Sequence, residues 1–161
     1  KKSLTDRLLN YLSGAPSEKS IGKVNLFEAL NEGKVDQLRD VFHAFFASIP
    51  HDWYRKNELS GYEGYYASIF YCYFTALGLD VIAEDATNKG KIDMQVKLDN
   101  RVFIFEFKVV ELNPAGKPLV QLKEKKYHEK YAAPGTEIFL IGIEFSKADR
   151  NIVSYEYEKI L

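Results

Sequence analysis

Apolar residues along the chain first follow a helical rhythm and then change to alternation. Leu4, Leu8, Leu9 and Leu12 keep helical spacing until Gly14-Ala15-Pro16 stops the run, and residues 25–30 repeat the pattern briefly before Gly33. Residues 35–47, with Leu38, Val41, Phe42, Phe45 and Phe46 in phase, predict a third helix that ends before Pro50. A longer aromatic helix is expected over 59–77, with Tyr62, Tyr66, Ile69, Tyr73 and Leu77 on one stripe, Phe70 and Phe74 beside it, and Gly78 as its stop. So many aromatics at helical spacing read as core packing.

The rhythm then becomes that of strands. A short strand is expected over 79–83, and residues 91–98 alternate strictly, with Ile92, Met94, Val96 and Leu98 assigned to one face. Asp99-Asn100 is a turn pair, since both residues tolerate positive φ. Residues 101–110 are apolar on both faces, as suits a central strand. After Pro114-Ala115-Gly116 a charged helix is predicted over 119–131, broken by Pro134-Gly135, and strands follow over 138–145 and 152–157. The order of helix, three strands, helix and two strands predicts an α/β fold with a mixed central sheet flanked by helices. We place a helical N-terminal extension at 1–57 and the α/β domain at 58–161.

Composition changes this picture little. With 161 residues, 46% of them hydrophobic, the chain has apolar material for a proper core. Lys+Arg 22 against Asp+Glu 23 leaves no global positive charge, so a nucleic-acid partner must meet a local basic patch. The lone Cys72 excludes an internal disulfide and a cysteine-based zinc site, which fits a reducing cytoplasm, and it reads as a buried, inert thiol. No apolar run is long enough to span a bilayer. Met94 is the only methionine and the first residue is Lys1, which predicts a piece of a longer polypeptide. His43 and His51 lack ligand partners nearby and read as packed or solvated histidines.

Candidate chemistry comes from the hairpin. If Asp99-Asn100 is a two-residue loop, Leu98 faces Arg101 and Asp93 falls opposite Glu106, with Cβ atoms about 4.5–5.5 Å apart. Alternation puts Lys108 on the same face, next along from Glu106. Two carboxylates so close repel unless a cation lies between them, and hard oxygen donors suit Mg²⁺ or Mn²⁺ rather than zinc. Glu63 shares a helical phase with Ala67, Phe70 and Phe74, a face expected to pack on the sheet, where a carboxylate needs a partner such as a metal or its water, unless it lies at the helix boundary and simply reaches solvent. Ordinary cross-strand ion pairs with Lys91 and Lys108 are the competing account. It fits Glu106 poorly, because Phe103, Ile104, Phe105, Phe107, Val109 and Val110 leave it little water.

Lys91-Ile92-Asp93, twelve intervening residues, then Glu106-Phe107-Lys108, after a helix bearing Glu63, resembles the PD-(D/E)XK nuclease superfamily. Leu119-Val120-Gln121-Leu122, Lys125-Lys126-Tyr127 and the apolar stretch 138–145 are similar to the group found C-terminal to AAA-ATPase-like domains in bacterial proteins. Ile92 stands where the superfamily's name has proline. The resemblance covers about residues 61–161, with weaker support from Phe46 to Trp53, and implies a restriction-endonuclease-like core. It implies that Asp93, Glu106 and the Phe107 carbonyl bind Mg²⁺ or Mn²⁺, that Lys108 orients the attacking water, and that Glu63 completes the metal shell. Gln121 would be an accessory polar residue.

The expected function is therefore metal-dependent hydrolysis of nucleic acid, with DNA favoured, by a cytoplasmic module of a larger AAA-ATPase-like protein. The alternatives are a nuclease-fold module that binds or regulates without cutting, and a structural spacer with no metal affinity. Lys123, Lys125, Lys126 and Lys130 are candidates for phosphate contacts, or else a solvated helix face.

Overall fold

The computed structural model describes residues 28–47, 63–87, 90–111, 114 and 117–160. The helix expected at 4–12, and Tyr62 and Pro50 at element boundaries, lie outside the described residues. After a helical turn at residues 28–31 come helix α1 (Val35–Ala47) and helix α2 (Glu63–Ala76), followed by strands β1 (Asp80–Thr87), β2 (Gly90–Leu98) and β3 (Arg101–Val110). Helix α3 (Pro118–Lys125) and a short 3-10 helix (Tyr127–Tyr131) lead to β4 (Glu137–Ser146) and β5 (Asn151–Lys159).

The five strands form one sheet in sequence order. Neighbours run antiparallel except β3 and β4, which are parallel. A parallel pair needs a crossover, and α3 with the 3-10 helix supplies it. The molecule is thus a mixed α/β fold with a five-stranded mixed sheet flanked by helices, as the sequence predicts.

One face of the sheet carries Met94, Val96, Phe103, Phe105, Phe107, Ile141, Ile143 and Phe145, and packs on α1 and α2. Aromatic rings dominate there: Phe42 stacks on Phe70 at 3.8 Å between centroids, and Tyr66 on Phe145 at 4.0 Å. The opposite face presents Val102, Ile104, Ile138 and Leu140 to Leu122 of α3 and to Tyr127.

The structure corrects two expectations. The helix predicted over 119–131 ends at Lys125, because Lys126 turns left-handed (φ 51). In an unbroken α-helix Leu122 and Tyr127 would point about 140° apart; the turn resets the phase, so both are buried on the sheet. Ile92 does not share a face with Met94. It packs with Ile104 and Leu122 on the α3 side, while Met94 enters the aromatic core, so the alternation of β2 fails between them.

Candidate functional site

The residue at that failure is Asp93. Between β2 and β3 the ladder is regular from Leu98↔Arg101, across the Asp99-Asn100 turn, to Met94↔Phe105, and it stops one step short of Asp93 and Glu106. Between β1 and β2 it runs to Ala83↔Met94, passes over Glu84 and Asp93, and resumes at Asp85↔Ile92. Glu84 has φ 52, a backbone that few L residues adopt. Asp93 therefore sits outside both ladders, and its side chain takes over a backbone role: the Phe107 N–H donates to Asp93 Oδ2 at 2.9 Å. This bond ties Asp93 to β3 beside Glu106. The expected register is kept up to Met94, while the contact itself runs through a side chain rather than a strand pair.

Glu106 is buried, at 3% exposure. Its Oε1 accepts a hydrogen bond from Gln121 Nε2 at 2.8 Å and lies 3.6 Å from Lys108 Nζ. Its Oε2 is buried with no hydrogen-bond partner among the described residues. Burial first, and then the nearby charge of Asp93, push the Glu106 carboxyl up to about 7, against the opposing pull of Lys108. The structure thus brings Asp93, Glu106, Lys108 and Gln121 together. Glu63 opens α2, and its side chain lies outside the described set.

Gln121 reaches Glu106 because Gly142 lets α3 come close. Gly142 is the β4 neighbour of Glu106 in the parallel ladder. A Cβ there would lie 3.0 Å from Leu119 Cα and closer still to Leu119 N, at the first turn of α3. Gly90 makes similar room: a Cβ would meet the Tyr127 hydroxyl at 2.8 Å. Tyr127 belongs to the site electrostatically, since burial and then the charges of Glu106 and Asp93 raise its hydroxyl pKa.

A family model described as the PD-(D/E)XK nuclease superfamily matches residues 61–155, and this span contains every one of these groups. The chain belongs to the PD-(D/E)XK nuclease superfamily. It is also 49% identical over 160 residues to a protein of Azotobacter chroococcum mcd 1 described as an uncharacterized protein in the vnfD 5′ region. That match takes in 99% of this chain but 31% of the relative's length. No solved structure matches.

PD-(D/E)XK nucleases typically use a divalent metal, and the donor set here fits one. Asp93 and Glu106 offer hard oxygen atoms, and the unsatisfied Glu106 Oε2 is the kind of atom a cation neutralises. Among the described residues no group of three or more metal-binding side chains occurs, so the remaining ligands would be backbone, water, substrate or a side chain outside the described set. Sequence reasoning missed Tyr127 and Glu144 as site neighbours. Glu144 is buried, and the parallel ladder sets it beside Lys108. A carboxylate in the apolar run 138–145 was the signal available for it. Of the candidate phosphate-binding lysines, Lys123 pairs with Glu158 at 2.7 Å, and Lys130 lies over the Tyr131 ring. Lys125 and Lys126 are exposed.

Proposed function

We propose that this domain hydrolyses phosphodiester bonds of nucleic acid, with DNA as the favoured substrate, in a Mg²⁺- or Mn²⁺-dependent reaction. Asp93, Glu106 and the Phe107 carbonyl would hold the ion, which when bound polarises the phosphate and makes its water more acidic. Lys108 orients the attacking water and offsets charge on the phosphate. Gln121 fixes the Glu106 carboxylate through Oε1, leaving Oε2 as the ligand. Glu63 completes the shell; in support, Ala67, one helical turn later, lines the same cavity as Asp93. The reading as a module of a larger AAA-ATPase-like polypeptide rests on the resemblance of residues 119–122, 125–127 and 138–145, the cytoplasmic setting on the lone Cys72, and the division into a 1–57 helical extension and a 58–161 nuclease domain on the change of pattern along the chain.

The observation that carries the proposal is the buried Glu106 carboxyl, whose Oε2 receives no donor among the described residues and lies next to a second carboxylate and a lysine. A strand interior keeps such an atom at a cost of a few kcal/mol or so unless something binds it. The Lys108→Ala variant tests it. Mn²⁺ binding should stay near wild type, because an ammonium adds nothing to metal affinity. Cleavage of plasmid and single-stranded DNA should fall by about two orders of magnitude or more. A variant that cuts as fast as wild type would move the active site elsewhere. A wild type that binds Mn²⁺ but cuts neither DNA nor RNA would favour the non-cutting binding module.

A further inference from the structure

A cavity of about 320 Å³ opens between α2 and the β1–β2 corner, with Asp93 in its wall. Ser68, Tyr71 and Cys72 contribute from α2, Glu84 from β1, and Met94 from β2 beside Asp93. The volume lies at the lower end of the range for small-molecule sites, about 300–1,000 Å³. We propose that this cavity holds one unpaired nucleobase of the substrate, so that the domain acts on single-stranded nucleic acid or on a base drawn out of a duplex.

Four observations identify the occupant. Asp93 belongs at once to the cavity and to the carboxylate pair, so whatever fills the cavity adjoins the phosphodiester at the reaction centre. Among the described residues the lining offers no lysine or arginine to pair with a phosphate, so it suits an uncharged group. Tyr71 is 39% exposed and presents an aromatic surface of the kind on which bases of any sequence stack. The β1–β2 ladder omits the pair Glu84 and Asp93, and both residues line the cavity, Glu84 with φ 52. The proposal rests on the nuclease reading, and it adds which part of the substrate sits beside the scissile bond.

Cys72 is the chain's only cysteine, so its alkylation reports on this wall alone. Burial raises its thiol pKa, so the reaction is run with iodoacetamide at alkaline pH on the Lys108→Ala protein with Mn²⁺. A single-stranded oligonucleotide should slow alkylation at least fivefold, whereas a fully abasic oligonucleotide of equal length should not. In parallel, Ala83→Trp, at an exposed position on the rim, should fill the cavity without touching the core. In the otherwise wild-type domain it should raise KM for single strands about tenfold or more, with kcat little changed. Tyr71→Leu should do the same more weakly. Equal alkylation with normal and abasic strands would overturn the proposal, as would unchanged kinetics in Ala83→Trp. If the wild type still cuts in that case, the nuclease reading stands alone. Base-dependent protection in a protein that never cuts would support the cavity and sink the hydrolytic reading.

Discussion

On the face covered by α1 and α2, the sheet meets Phe42, Tyr66, Phe70 and Phe74, all fully buried and ring against ring. On the face covered by α3, a smaller apolar cluster adjoins the buried polar side chains among the described residues: Gln95, Glu106, Glu144 and Ser146. Alternation assigns all four to that side, since Gln95 is paired with Ile104, and Glu144 and Ser146 flank the inward Phe145 of the aromatic face. Both faces belong to the same strands, so the difference comes from period two alone. Apolar area stabilises one side, and the other holds polar groups in its interior, among them the Glu106 carboxyl. Stability and chemistry are thereby separated by the thickness of one strand, which lets the polar side change without dissolving the core.

That separation can be broken from either side. Phe70→Ala, in the middle of the aromatic face, should cost about 3–5 kcal/mol of stability, read as a large drop in melting temperature. If the loss were under about 1 kcal/mol, this face would not be the main source of stability. Glu106→Gln should have a smaller effect of opposite sign in metal-free buffer. Because its folded pKa is raised to about 7, Glu106 favours folding below about pH 4.5, and that contribution is lost as pH rises to about 7. Wild-type stability should therefore decline across this window, while Glu106→Gln should be flatter and more stable at pH 8. Parallel pH curves for the two proteins would show that the carboxyl is not strained. Gln121→Ala should have the smallest effect, about 1 kcal/mol of stability and a several-fold loss of cleavage, because Lys108 still faces Oε1. A melting point as depressed as that of Phe70→Ala would mean that Gln121 is structural.

Local rules carried much of this into the sequence. The Asp99-Asn100 turn set the β2–β3 register, and unbroken apolar runs marked β3 and β4 as central strands. Glu106 and Lys108 were legible because charges interrupt such a run. The break at Asp93 was not legible: it depends on Phe107's backbone N–H bonding a side chain in place of a neighbouring strand, and strict alternation in 91–98 conceals it. Nor was the left-handed Lys126, a residue type with no preference for that backbone, so Tyr127 was read as one more residue of a charged helix. The exchange of Ile92 from one face to the other follows from the same break. Contacts that join distant segments leave no periodic trace.

Gly142 shows how far such a contact can reach. The hydrogen bond from Gln121 to Glu106 spans 2.8 Å, and it depends on α3 lying against a strand residue that has no side chain. A methyl group there would push the first turn of α3 outward, and a shift of about 1 Å is enough to weaken such a bond steeply. An inherited exchange of one hydrogen for one methyl at residue 142 would thus imitate the several-fold loss expected of Gln121→Ala, in a residue that carries no chemistry of its own.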